Sequence, residues 1–208
     1  MLRRALIAGA ALTITVVLAG CGGDHASSPG SGMGHGMGAT TASASPGAVF
    51  NTADVTFAHM MIPHHQQAIE MAELAPTRAA SSEVKALAEK IKAAQQPEID
   101  LMNGWLVSWG QPTPMPGMSG GMAMPGISHG PMAGMMSQQD MKALEAASGA
   151  AFDKQFLTMM IGHHQGAITM AQQEQAQGSN PDAKALAAKI VTDQQAEIAT
   201  MQDLLKNM

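Results

Sequence analysis

The chain contains one stretch twice. Residues 60–72 read MMIPHHQQAIEMA and residues 159–171 read MMIGHHQGAITMA. Aligning Asp54 to Leu106 with Asp153 to Leu205 without a gap leaves roughly 24 of 53 positions identical, and every matched pair is 99 residues apart. A short repeat cannot bury its apolar face alone, so the two copies are expected to pack on each other.

Each copy reads as a helical hairpin. Phe57, Met60, Met61, His64, Ala68, Met71, Ala72 and Ala75 recur at the i, i+3, i+4, i+7 spacing of one helix face. Val84, Leu87, Ile91, Gln95, Glu98, Met102 and Trp105 repeat the pattern in a second helix. The turn between them is expected to contain Pro76 in copy one and Gly178-Ser179-Asn180-Pro181 in copy two, with Asn180 as N-cap and Pro181 as first helical residue. The expected fold is all-α, a four-helix bundle built from two duplicated hairpins at 50–109 and 137–208 within a domain spanning 50–208. The connecting segment 110–136 is too rich in Met, Gly and Pro to hold a helix. Ser137-Gln138-Gln139-Asp140 resembles a helix start, which places a bend near Ser148-Gly149. Pro63 and Gly162 precede the two His pairs at matching positions. Whether Pro63 starts its helix or kinks it is open at this point.

Residues 1–20 have the parts of a secretory signal, with Arg3 and Arg4, an apolar stretch from Ala5 to Val17 and small residues before a cysteine. Leu18-Ala19-Gly20-Cys21 resembles the bacterial lipobox, so Cys21 is expected to be lipidated and to hold the protein on the outer side of the cytoplasmic membrane. Residues 21–49 read as a Gly/Ser/Met/His tether. With its only cysteine committed, the chain has no disulfide and no thiolate nucleophile or ligand. The net charge of -5 and the lack of a basic cluster after Arg4 argue against a nucleic-acid partner.

Twenty methionines stand against four phenylalanines, two tryptophans and no tyrosine. Methionine supplies a soft thioether as well as bulk. His64 shares its stripe with Met60, Met61 and Met71, and His163 shares its own with Met159, Met160 and Met170. His65 and His164 fall about 100° further round, on the flank and nearer the mouth of the bundle. A single core histidine bonded to a carbonyl, among methionines that fill space, would be unremarkable. Here the arrangement is doubled, and the facing helices place Gln95, Glu98, Gln194 and Glu197 on apolar stripes. A two-fold axis between the hairpins would carry His64 onto His163 and Met71 onto Met170, bringing imidazoles and thioethers into one shared metal centre or two equivalent ones. Glu98 and Glu197 are then expected to accept the second ring N–H of ligand histidines. Met33, His35 and Met37 in the tether and Met118, Met122, Met124 and His129 in the crossover form auxiliary candidates. Thioether selects Cu(I) and imidazole accepts Cu(I) and Cu(II), so copper is the expected ion. No nucleophile motif or phosphate-cradling loop stands out, and no catalytic residue is expected.

The string Phe57…Met60-Met61-Ile62-Pro63-His64-His65-Gln66-Gln67-Ala68-Ile69-Glu70-Met71-Ala72, followed by Leu87-Ala88…Ile91…Gln95…Glu98-Ile99…Met102, resembles the DUF305 family of exported bacterial proteins. The resemblance covers both hairpins. It implies a ferritin-like four-helix bundle and extracytoplasmic copper binding linked to copper tolerance. Copy two has Thr158, Gly162 and Thr169 where copy one has His59, Pro63 and Glu70, so His59 joins the candidate ligands in one half only. Two other readings remain at this level. A ferritin-like metal oxidase would need Glu-x-x-His, which neither copy has. A non-metal structural or partner-binding lipoprotein would leave the doubled histidines without a purpose. Storage or transfer of copper, a homo-oligomer and a copper-transfer partner are all compatible with the sequence.

Overall fold

A computed structural model describes residues 49–114 and 132–208. Those residues form five helices, α1 Thr52–Arg78, α2 Ser82–Ser108, α3 Gln138–Ala146, α4 Gly149–Gln177 and α5 Pro181–Lys206. The starts obey local chemistry. Asn51 caps α1 by accepting from the Ala53 and Asp54 amides while Asp54 accepts from the Asn51 amide. Ser81, Ser137 and Asn180 likewise accept from backbone amides at the starts of α2, α3 and α5, and at Ser137 the reciprocal bond from its own amide to Asp140 is also made.

One open question closes and two local expectations need revision. Pro63 neither starts nor ends α1, which runs through it. Its missing N–H and its ring act inside the helix, directly before the histidines. Pro76 also lies within α1, not in the turn, which spans residues 79–81. So near the helix end the ring disrupts little, and burial of Ala75 and Ala79 on either side holds the last turn in place. The bend expected near Ser148-Gly149 is a full break between α3 and α4, with Gly149 at φ +64°.

α1 packs on α2, α4 packs on α5, and α1 and α4 pack on each other as the central antiparallel pair. One apolar cluster joins the N-terminal half of α1 (Phe57, Met61, Ile62) to the C-terminal half of α4 (Ala167, Met170, Ala171). A second joins Ala68, Met71 and Ala75 of α1 to Phe152, Phe156 and Met160 of α4. The chain therefore has an apolar core at each end of the α1–α4 crossing. Between them runs a buried polar layer containing His64, His65, Gln95, Glu98, His163, His164 and Gln194.

Two aspartates tie the hairpins together. Buried Asp54 accepts from the Ser179 and Asn180 amides in the α4–α5 turn. Buried Asp153 accepts from the Ala80 and Ser81 amides in the α1–α2 turn.

Candidate metal centre

The polar layer is built by the central helices and completed by the outer ones. At the α1–α4 crossing the rings of His64 and His163 lie with centroids 3.7 Å apart and planes tilted by 37°. The ring of His164 is 6.5 Å from that of His163. The approximate two-fold axis thus brings the first histidine of each copy into contact, as the offset and the stripe imply. His65 and His164 are not at a mouth; both are 0 % exposed. A residue 100° from the α4-facing stripe of α1 does not meet solvent, because α2 covers that side. There His65 donates from Nε2 to Glu98 Oε2 at 2.9 Å. On α4, His164 donates from Nε2 to Glu197 Oε2 at 2.6 Å.

Burial holds the imidazoles of the central pair neutral. It pushes His64 down to about 3, aided by the neighbouring His65 and His164 and opposed by the Ala133 carbonyl. It holds His163 well below the ordinary histidine value as well, with His64, His164 and His65 adding to the effect. For Glu98, burial alone would raise the pKa. His65 and Lys189 outweigh it and hold the carboxylate below its usual range. Lys189 of α5 donates to Glu98 Oε1 at 2.9 Å.

The end of the crossover straps one side of this layer. His64 Nε2 donates to the Ala133 carbonyl at 3.1 Å. Gln67 holds the backbone of Met136 twice, donating to its carbonyl at 2.9 Å and accepting from its amide at 2.7 Å. Gly134, at φ +80°, lies so close to α4 that an added Cβ would sit 2.6 Å from the Gly162 carbonyl oxygen. A Cβ on Gly166 would collide with the Ala133 carbonyl. Copy one carries Pro63 and Gln67 where copy two carries these two glycines. Sequence reading singled out neither Gln67 nor Gly166. The one available signal was that copy two loses a side chain at both positions.

Of the two expected arrangements, one shared centre or two equivalent ones, the methionines do not gather at a single point but divide between the two cores. Met61 and Met170 lie in one apolar core, and Met71 and Met160 lie in the other. The axis does relate Met71 to Met170, but it places them at opposite ends, because a two-fold axis through the histidines moves residues seven positions further along to opposite sides of it. Met60 and Met170 line a cleft of about 260 Å³ together with Phe57 and Glu174. Met159 lines a second cleft with Thr158 and Asp140. His59 is half-buried on α1. Cys21, Met33, His35, Met37, Met118, Met122, Met124 and His129 lie outside the described residues.

The layer's donor chemistry suits a soft ion. Nδ1 of His64, His65 and His164 and both ring nitrogens of His163 are buried without a hydrogen-bond partner. Among the described residues no three His, Cys, Asp or Glu side chains converge as a ready cage. The remaining donors in reach along the central helices are thioethers. Met61 and Met160 each stand three residues before a central histidine, on opposite sides of the pair.

The fold and this layer define a duplicated four-helix protein whose two apolar cores are separated by buried imidazoles. The chain belongs to the family described as "Domain of unknown function (DUF305)", which matches residues 54–205. It is similar to a DUF305 protein of Streptomyces coelicolor, with 32% identity over 74% of this chain and 93% of that one and a TM-score of 0.65. A DUF305 fragment from Deinococcus radiodurans is 31% identical over 78% of this chain and all of that one, again at a TM-score of 0.65. CopM in its Cu(II)-bound form is 37% identical over 74% of this chain and 96% of that one, at a TM-score of 0.62. CopM has also been solved in Cu(I)-bound and Ag-bound forms. No curated protein matches the sequence.

Proposed function

We propose that the protein is an extracytoplasmic, membrane-anchored copper-binding protein that captures, stores or hands on copper and so contributes to copper tolerance, without catalysing a reaction. The observation that carries this reading is the buried layer of four histidines, in which five ring nitrogens have no hydrogen-bond partner among the described residues. Likeness to CopM, solved in copper-bound and silver-bound forms, supports the choice of ion. Copper supplies a soft cation that thioether and imidazole both accept, with thioether favouring Cu(I).

We assign His64, His65, His163 and His164 as the imidazole donors, with Met61 and Met160 as the adjacent thioethers. Glu98 and Glu197 orient the rings of His65 and His164. Met60 and Met170 in one cleft and Met159 in the other are placed to receive the ion at the surface. Met71 and His59 complete the candidate set. The signal-like residues 1–20, the lipobox cysteine Cys21 and the tether at 21–49 support export and anchoring.

The test is metal analysis and thermal melting of the mature protein loaded anaerobically with Cu(I) and separately with Cu(II). At a hundredfold excess over Kd, binding to the folded state alone adds about 2.7 kcal/mol. The double variant His64→Gln/His163→Gln should lose most of that gain and stay folded without metal. A full copper-dependent rise in the variant would remove the histidines from the site. A variant that unfolds without metal would make them structural.

A further inference from the structure

Three of the four buried histidines have one ring nitrogen engaged, and in each case it is Nε2. His64 reaches the Ala133 carbonyl, His65 reaches Glu98 and His164 reaches Glu197. A carbonyl and an ionised carboxylate have no proton to give, so the proton in each bond must reside on Nε2. The opposite nitrogen, Nδ1, is buried and has no partner in all three rings. A proton there would be a buried donor with no acceptor, a costly arrangement, whereas a bare lone pair is ready for a cation. The three acceptors have unrelated origins: a backbone carbonyl of the crossover, a carboxylate of α2 and a carboxylate of α5. Their common effect on the rings is the same tautomer. Among the described residues no carbonyl or carboxylate engages a ring nitrogen of His163 with comparable geometry, so its tautomer is not set in this way.

We propose that Ala133, Glu98 and Glu197 are positioning groups that lock His64, His65 and His164 as Nε2–H tautomers, so that the protein presents Nδ1, not Nε2, to a soft metal ion. Because Nδ1 lies nearer the backbone, coordination through it draws the ion in toward the helices that carry the rings. It also leaves all three second-nitrogen hydrogen bonds intact when metal enters. This inference rests on the copper-binding reading for its ion, while the tautomers themselves are a property of the metal-free protein.

The experiment uses the full mature protein with ¹⁵N-labelled histidine and long-range ¹H–¹⁵N correlation spectra, assigned with single His→Gln variants. Without metal, His64, His65 and His164 should each show one protonated nitrogen, Nε2. Titration with Ag(I), a diamagnetic probe, should shift their Nδ1 resonances while the Nε2 protons persist. Glu197→Leu should abolish the single-tautomer pattern at His164 and leave His64 and His65 unchanged, and Glu197→Gln should restore it in part. Nδ1–H tautomers without metal, or loss of the Nε2 protons on adding silver, would overturn the proposal. Nε2–H tautomers in the metal-free protein with no imidazole shifted by silver would overturn the metal-binding reading and, with it, the role assigned to Nδ1. An unchanged His164 spectrum in Glu197→Leu would show that Glu197 does not set the tautomer.

Discussion

Asp54 and Asp153 perform one task from opposite ends of the molecule. Each sits in the first turns of a central helix and accepts two backbone N–H groups from the turn of the other hairpin, and the two sets of donors are themselves 99 residues apart. Exchange of either carboxylate for an amide puts an N–H₂ where only acceptors fit. Asp153→Asn should therefore cost about 1–3 kcal/mol in denaturant unfolding of the metal-free protein. Asp54→Asn should cost at least as much, since Asp54 also accepts from the Asn51 amide. A variant within error of the parent would mean that the turn amides are satisfied by water.

The two glycines of α4 near the histidines should respond in opposite directions. A Cβ on Gly162 meets nothing within 4 Å, whereas one on Gly166 collides with Ala133. Gly162→Ala should stabilise the helix by about 0.5–1 kcal/mol. Gly166→Ala should destabilise the protein by about 1–3 kcal/mol and displace the crossover from His64. Equal effects of the two substitutions on the melting temperature would show that the strap does not rest on α4 in solution.

Glu174 gives the metal-free protein a pH dependence of definite sign. Burial, followed by the neighbouring Asp54 carboxylate, raises its pKa to about 8 against the partial opposition of Lys184. For Asp54, burial acts upward, and the nearby Glu174 carboxyl with the Asn51, Asn180 and Ser179 amides brings it below the ordinary value. The proton of the pair therefore resides on Glu174. A folded state that holds a proton more tightly than the unfolded chain is most stable below the unfolded value of 4.5, and it loses that advantage as pH rises to about 8. His64 and His163, held neutral by burial, add stability as pH rises to about 6.5, so the melting temperature should fall only between pH 7 and pH 8, and Glu174→Gln should remove that fall. A parent protein with the same melting temperature at both ends would dispose of the shared proton.

Cys21→Ala should move the protein from the membrane fraction to the soluble extract with its melting temperature unchanged, because the lipobox cysteine is followed by the tether and not by the bundle. If the variant still sediments with membranes, something other than the cysteine attaches it.

The methionines of the crossover can be separated from the core by replacing Met115, Met118, Met122 and Met124 with leucine, together with Met33 and Met37. Met136 is left in place because it packs on an apolar core. Cu(I) bound per protein should fall while metal-free melting barely moves. An unchanged copper content would favour sacrificial oxidation as the purpose of those side chains.

Much of the centre could be read from periodicity. The 99-residue offset and the helical stripe suffice to predict that His64 meets His163, since a duplicated hairpin with one inward face must bring matched positions to its axis. The same reasoning placed His65 and His164 wrongly because it treated each helix as having one covered side. A central helix has several, and the α2-facing side of α1 is as dry as the α4-facing one. Gly166 and Ala133 were illegible for another reason. Their contact joins a helix to a segment without periodicity, and no local pattern encodes which glycine a loop will cross. Asp54 reads locally as the acidic residue of a first helical turn and Asp153 as a polar residue near the start of α4, and their bonds to the opposite hairpin follow only from the antiparallel packing.

The crossover is the one part of this domain that a doubling of the hairpin could not duplicate. A single strap laid against the axis cannot treat both halves alike, so from the moment of fusion the twin histidines stood in different surroundings. His64 is tied to the strap through Ala133, and His163 is not. Gly166 of α4 carries the imprint of that asymmetry: where the connecting chain crosses the second copy there is no room for a side chain, and the matching place in the first copy holds the glutamine that grips the strap.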